Sequence, residues 1–285
     1  MIEAISNPNA TDIIQTIYAD SHVHIHSCFD LDLFLDAALA NFLRVGHDGD
    51  IFILFLTESS SESYFQNLYR SALTGTSAVP SLKRWSVRLT GDDSALYAAC
   101  PTSTSGIYMI AGKQIVTLEN LEVLALMTTA AFEDRQPLER VVNAVSERGG
   151  IPVIPWGVGK WMGRRGRILR QFLDRHPRLF LGDNSGRPVF WLEPLLFRQA
   201  KAQGGRVLPG SDPLPFPSEC WRPGSFGFSM AGVGIFDSAQ PAVSLKQTLF
   251  DSAVQLKAYG ALENPYRFTR NQLEMQLIKY LKPKR

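Results

Sequence analysis

Residues 17–26 read IYADSHVHIH, and this run holds three of the five histidines in the chain. The run predicts a β-strand, in which alternate side chains point to the same face. Asp20, His22, His24 and His26 are therefore expected on one face. Neutral imidazole is the commonest metal ligand, and two imidazoles at positions i and i+2 can reach one ion. The run predicts one wall of a metal site; the alternative is a strand with a half-exposed polar face.

Strands and helices alternate along the rest of the chain. Short apolar runs predict strands at 50–58, 151–156, 178–184 and 206–212. Helical spacing predicts helices at 30–46, 59–73, 137–150, 165–176, 189–205, 247–260 and 269–281. Successive short strands, some of them antiparallel, are predicted between 83 and 127. Alternation repeated about seven or eight times favours a mostly parallel sheet closed into a barrel.

The composition is that of an ordinary globular protein, with 45% hydrophobic residues, 20% charged residues and a net charge of +2. This charge gives no sign of nucleic-acid or membrane binding. We expect no secretory signal and no transmembrane helix, because no apolar stretch is long enough. Cys28, Cys100 and Cys220 are too scattered for a disulfide framework. A cytoplasmic protein is expected, and its oligomeric state is left open.

The motif DSHVHIHSCFD (20–30) resembles the first motif of the polymerase-and-histidinol-phosphatase (PHP) domain family, and more distantly the HxH strand of amidohydrolases. The similarity continues in order from about residue 18 to 230. It implies an α/β fold of one domain over residues 1–285, a distorted (β/α)7 TIM-like barrel with a short antiparallel strand insertion around 83–127 and C-terminal helices. PHP proteins bind several metal ions, and many of them cleave phosphoesters.

The later motifs of that family match unevenly. Its Thr-Asp-His, after the second strand, corresponds to LTE at 56–58, and its Gly-x-Glu corresponds to GKQ at 112–114. Its His-Pro is replaced by PW at 155–156, and its Gly-Ser-Asp-x-His by GSDPL at 210–214. The first HxH and the final Asp survive. The expected cofactor is therefore one divalent ion of Zn, Mn or Fe rather than several.

His22, His24 and Asp212 can supply three ligands to that ion. Further candidate ligands, whose direction the sequence leaves open, are Glu58, Gln114, Glu119 and Glu122. Gln114 offers only a neutral carbonyl oxygen, a weaker ligand for a hard cation than a carboxylate. Asp212 is also a candidate general base, and His26 a candidate for orienting water or substrate. Asp20 is predicted to fix the tautomer of an imidazole.

A second group of residues predicts an anion pocket. The run PWGVGKWMGRRGR (155–167) leads from a strand into a helix, where backbone N–H groups and arginines favour anions. The predicted substrate-binding residues are Lys160, Arg164 and Arg165 from this run and Asn184 and Arg187 from the next strand end. The alternative is an exposed helix start that binds nothing.

Three functions are compatible with these residues. The first is a metal-dependent hydrolase that uses metal-activated water on a small anionic substrate, above all a phosphate ester. The second is a catalytically degenerate barrel that binds an anionic ligand or a protein partner. The third is an amidohydrolase-type enzyme acting on an amide or lactone. The expected partner is a small anionic molecule, with no nucleic acid and no membrane.

Overall fold

The computed structural model describes residues 15–76, 79, 82–231 and 236–281, which form twelve strands, seven α-helices and a short 3-10 helix at Pro217–Trp221. The strands are β1 (Ile17–Val23), β2 (Ile51–Leu56), β3 (Ser86–Leu89), β4 (Ala95–Ala99), β5 (Gly106–Ile110), β6 (Gly112–Val116), β7 (Glu122–Leu126), β8 (Ile151–Pro155), β9 (Phe180–Asn184), β10 (Val207–Gly210), β11 (Phe226–Met230) and β12 (Leu256–Gly260). The helices are α1 (Leu31–Phe42), α2 (Tyr64–Thr74), α3 (Leu138–Glu147), α4 (Gly163–Arg175), α5 (Leu195–Ala202), α6 (Pro241–Phe250) and α7 (Pro265–Leu281).

The strands lie in two mixed sheets. The first has the order β12-β11-β1-β2-β5-β4-β3, and the second has the order β10-β9-β8-β7-β6. β1, β2 and β5 are parallel neighbours in the first sheet, as are β8, β9 and β10 in the second. The remaining pairs among these strands are antiparallel. The fold is therefore α/β, with each sheet combining both strand directions.

The alternation of side chains along the strands divides the core into layers. Ile53 and Phe55 of β2 point into a cluster that also holds Val153 of β8, and this cluster fills the space between the two sheets. Phe52 and Leu54 point the other way, into a cluster formed with α1 and α2. On the far side of the second sheet, α3, α4 and α5 pack against β7, β8 and β9. Burying both faces of each sheet explains the continuous apolar runs of β2 and β8.

The predicted barrel is wrong, because the two sheets do not close on one another among the described residues. β1 and β10 lie side by side without a ladder. The hydroxyl of Ser21 donates to the carbonyls of Leu208 and Pro209, at 3.0 and 2.9 Å, in place of backbone N–H groups. Pro209 also has no N–H to offer. At the other edge an isolated bridge between Glu58, just after β2, and Lys113 of β6 connects the two sheets.

The antiparallel strands between 83 and 127 are not an insertion into a barrel. β3, β4 and β5 belong to the first sheet, whereas β6 and β7 begin the second. The chain therefore crosses from one sheet to the other at Ala111, between β5 and β6. The prediction of a single domain over 1–285 stays a prediction.

Two helix predictions also differ from the structure. The region predicted as a helix at 247–260 is helical only as far as Phe250, where α6 ends. Leu256–Gly260 instead forms β12, because hydrogen bonding to the edge of β11 outweighs the helical spacing of its residues. The predicted helix at 189–205 begins only at Leu195, after Pro194, which disfavours helical backbone in the residue before it. No helix among the described residues has both the length and the apolar character to cross a membrane.

Candidate metal centre

The histidine run lies where β1 meets the end of β10. Gly210 makes this approach possible, because a Cβ there would lie 2.5 Å from backbone and side-chain atoms of His22. The next contact is a hydrogen bond from the N–H of Asp212 to the carbonyl of His22, at 2.8 Å. Asp212 has a φ of 46°, in the left-handed region that Asp tolerates better than most residues. This backbone brings the Asp212 carboxylate to the two imidazoles.

Four donor atoms converge at this point. The Nε2 atoms of His22 and His24 are 3.1 Å apart, and the Oε1 atom of Gln114 is 3.1 Å from the Nε2 atom of His22. The Oδ1 atom of Asp212 lies 3.5 Å from the first imidazole nitrogen and 3.6 Å from the second. A tetrahedral ion with ligands at 2.0–2.1 Å would separate its ligands by about 3.3 Å. The group of His22, His24 and Asp212 could therefore hold a metal ion.

The protonation of His22 and Asp212 suits a cation, whereas that of His24 does not. Burial lowers the pKa of His22 and favours the neutral imidazole that binds metals. Burial opposes ionisation of Asp212, but His22, His24 and Lys160 together bring the pKa of this carboxyl below its usual range. Burial acts to lower the pKa of His24, but Glu62 and Asp212 raise it above its usual value. A bound cation would take the place of the proton on this ring and would satisfy both Nε2 atoms and the carboxylate.

His24 and His26 follow the end of β1, so the expected single face of four side chains is only partly formed. Their rings are stacked, with centroids 5.5 Å apart. The Nε2 atom of His26 lies 2.9 Å from the carbonyl of Pro213, which holds the loop after Asp212. The structure thus places His26 beside the donor cluster. Its Nε2 atom contacts a backbone carbonyl, whereas the Nε2 atoms of His22 and His24 face each other.

Glu62 is a site residue that the sequence did not reveal. Its carboxylate lies 3.2 Å from Nδ1 of His26 and 3.7 Å from Nδ1 of His24, a buried nitrogen without a hydrogen-bond partner in the described part of the chain. Burial opposes ionisation of Glu62, but the two imidazoles and the N–H of Ser59 lower the pKa of its carboxyl far below the usual range. A carboxylate behind a ligating imidazole orients the ring and raises its basicity.

Asp20 does not contact an imidazole ring, contrary to the role predicted for it. Its carboxylate accepts from the backbone N–H groups of Ser211 and Gly224, both at 2.8 Å, and of His22 at 3.3 Å. Burial raises its pKa to about 7, although these hydrogen bonds act in the opposite direction. Asp20 therefore joins β1 to the loops after β10 and before β11.

Of the further candidate ligands, only Gln114 reaches the imidazoles. Glu58 accepts from the N–H of Phe65 at 2.6 Å and pairs with Lys113 at 2.7 Å. Glu119 accepts from the N–H of Leu138, at 3.0 and 3.2 Å, and so caps α3. Glu122 pairs with Lys160, and its charge acts on both imidazoles. The oxygens of Glu58 and Glu119 are thus engaged in structural contacts away from the donor cluster.

Two of the five predicted substrate-binding residues lie at the centre. Asn184 donates a hydrogen bond to Asp212, and Lys160 lowers the pKa of the same carboxyl from the adjoining wall. Arg187 is buried in a bidentate pair with Asp183, at 2.9 and 2.7 Å. Arg165 donates to the carbonyls of Gly159 and Asn120 at 2.9 and 3.3 Å, and Arg164 is exposed on the first turn of α4. The predicted arginine pocket is not assembled around the donor cluster.

Comparison with known proteins gives a fold but no family. No protein-family model and no curated protein matches the chain. The crystal structure of PsfC from Pseudomonas syringae PB-5123 is similar, with a TM-score of 0.55 and 14% sequence identity, over 93% of this chain and 100% of that one. At this identity the similarity shows the fold alone. A lesion-specific endonuclease, PfuEndoQ from Pyrococcus furiosus, aligns over 86% of this chain and 59% of its own, with a TM-score of 0.48 and 11% identity.

Proposed function

We propose that this protein is a metal-dependent hydrolase with one divalent ion, Zn, Mn or Fe, bound by His22, His24 and Asp212. The observation that carries the proposal is the convergence of two buried imidazole nitrogens and a carboxylate oxygen within 3.1–3.6 Å of one another. The resemblance of the motif at 20–30 to PHP domains supports the same reading. A divalent ion in such a site supplies a water of lowered pKa as nucleophile.

The chain's own groups have distinct tasks in this proposal. Asp212 directs Oδ1 towards the imidazoles, while Asn184 holds its Oδ2 atom at the wall of the adjoining cavity. This carboxylate is both ligand and the nearest candidate for accepting a proton. Glu62 orients His24 and His26, and the latter fixes the Pro213 carbonyl next to the site. Lys160 contributes a positive charge at the same wall.

The proposed substrate is a small molecule with a phosphate ester or a carboxylic amide or lactone as its scissile group. A phosphate ester requires cationic groups for its charge, and of the predicted ones only Lys160 lies near the donor cluster, paired with Glu122. The predicted arginines, Arg164, Arg165 and Arg187, do not line this wall, which favours the amide or lactone alternative over the phosphate ester.

Hydrolysis assays test the proposal. The protein is supplied with Zn, Mn or Fe and offered 4-nitrophenyl phosphate, bis(4-nitrophenyl) phosphate, an anilide and a lactone. We expect metal-dependent turnover of one class, lost in Asp212→Ala and retained in Asp174→Ala, an exposed aspartate of α4 that serves as matched control. No turnover of any class by metal-replete protein, or turnover that chelation leaves unchanged, would contradict the proposal.

A second candidate is a protein that binds a ligand at this centre without catalysis. It is favoured because the carboxylates of Glu58 and Glu119 bind backbone N–H groups and do not join the donor cluster. The fourth donor is then the neutral side chain of Gln114. It predicts bound metal with no turnover in the same assays. Metal content and turnover together therefore distinguish the two candidates.

A further inference from the structure

A cavity of ≈ 180 Å³ adjoins the metal centre at Asp212. Its walls come from the loops after β8 and β9, from the segment between β10 and β11 and from α7. The volume lies below the roughly 300–1,000 Å³ of pockets for drug-sized ligands. A substrate whose scissile bond lies at Asp212 would extend one small group into this space.

The charges on the cavity wall do not favour an anion. Four carboxylates and two cations line it, and both cations are already paired. Lys160 pairs with Glu122. Arg222 contacts Glu263 at 2.5 Å and Glu219 at 3.2 Å. A phosphate or carboxylate entering here would meet an excess of carboxylates. Pairing with Arg222 would require breaking a buried ion pair, which is strongly unfavourable.

Arg267 does not line the cavity and adds no free positive charge to its wall. It contacts Glu219 at 3.0 Å and Glu263 at 3.5 Å, so it belongs to the same network as Arg222. Glu219 and Glu263 are almost fully buried, and the network anchors the start of α7 to the loop before β11. Its charges are therefore satisfied within the protein.

The groups that remain free on the wall are uncharged. Trp156 is buried, and its indole N–H makes no hydrogen bond within the described part of the chain; the same holds for the side-chain amides of Gln272 and Gln276. An amide both donates and accepts, and the indole donates. Phe268 and Met275 add apolar surface between them. Uncharged donors and acceptors beside ring surfaces suit a group with several hydroxyls on a carbon ring.

We propose that this cavity binds an uncharged, hydroxyl-rich group of the substrate, such as a sugar ring, and not a phosphate. The proposal rests on the proposed function only in placing the scissile bond at Asp212. Trp156, Gln272 and Gln276 are the residues that contact the hydroxyls. The substrate class is then an amide or a lactone whose scissile bond lies next to a hydroxyl-bearing ring.

Calorimetric titration of the full chain tests this assignment. The probes are D-glucose, D-ribose, N-acetylglucosamine and myo-inositol, with inorganic phosphate for comparison. We expect saturable binding of at least one uncharged probe. Gln272→Ala and Trp156→Phe each remove one hydrogen bond and should weaken that binding about three- to tenfold. Gln247→Ala, at an exposed position of α6, should leave it unchanged.

The same titration of His22→Ala separates this proposal from the metal proposal. The variant should lose metal but keep sugar binding, because His22 does not line the cavity. Sugar binding in the absence of metal would support the cavity assignment even if the hydrolase proposal failed. No binding of any uncharged probe, equal binding in Gln272→Ala and Trp156→Phe, or phosphate binding lost in Lys160→Met would overturn it.

Discussion

At the scale of single residues, Gln114 is the uncharged member of the donor cluster, 3.1 Å from the Nε2 atom of His22. Gln114→Glu would replace an amide oxygen by a carboxylate and add one negative charge to the ligand set. Because divalent ions bind more tightly as ligand charge increases, we expect the affinity for Zn or Mn to rise about tenfold. Competition with a chromogenic chelator measures this. Gln247→Glu, an exposed change of the same kind, is the control; equal affinity in both variants would remove Gln114 from the ligand set.

Glu62 acts on the same ion through the imidazoles. Glu62→Gln keeps the shape of the side chain but removes the negative charge beside Nδ1 of His24 and His26. Loss of a carboxylate behind a ligating imidazole costs roughly 10–100-fold in metal affinity, and we expect a decrease in this range. Chelator competition again gives the value, with the exposed Glu147→Gln as matched control. A decrease of less than about twofold would show that Glu62 does not support the ligands.

Residue identities alone indicated part of the centre. His22 and His24 stood out through their spacing and Asp212 through the family motif, and the structure brings all three together. Glu62 could not be recognised, because its contact with the imidazoles depends on how the loop after β2 folds over the end of β1. Glu58 and Glu119 were candidate ligands because of their charge. Only the structure shows that their carboxylates accept hydrogen bonds from backbone N–H groups of α2 and α3.

At the scale of secondary-structure elements, Glu58 connects two strands and a helix. It follows β2, accepts from the first turn of α2 through Phe65, and pairs with Lys113 of β6 in the other sheet. Glu58→Gln would leave the Lys113 ammonium without its carboxylate in a partly buried position. We expect the free energy of unfolding to fall by about 2 kcal/mol, with metal content unchanged.

Urea denaturation and metal analysis of the same preparation measure the two effects of Glu58→Gln. Glu139→Gln is the control, since its pair with Arg175 is exposed and should contribute under about 1 kcal/mol. Loss of metal from Glu58→Gln with stability unchanged would reverse the assignment and make Glu58 a ligand.

The elements themselves were predictable where local pattern and tertiary context agree. β2 and β8 are buried on both faces and appear in the sequence as continuous apolar runs. β12 was not predictable, because the residues at 256–260 follow a helix without a strong turn signal and become a strand by pairing with β11. Pro194 could have marked the start of α5, since a proline restricts the residue before it.

At the scale of the whole molecule, alternation of strands and helices predicts an α/β fold but not its closure. Closure needs a ladder between β1 and β10 and another between β2 and β6. At the first junction the hydroxyl of Ser21 donates to the β10 carbonyls, and Pro209 has no N–H with which to continue a ladder. The two-sheet arrangement still places the ends of β1 and β10 together. That contact between sheets is what assembles a centre from residues 190 positions apart, His22 and Asp212.

The central claim is that this junction holds one metal ion. Mass spectrometry of the metals in untagged protein, purified without chelator, tests it most directly, with His22→Ala and the exposed His47→Ala measured in parallel. We predict about one Zn, Mn or Fe per chain in the unaltered protein and in His47→Ala, and almost none in His22→Ala. No metal after incubation with each ion, or the same metal content in His22→Ala, would contradict the claim.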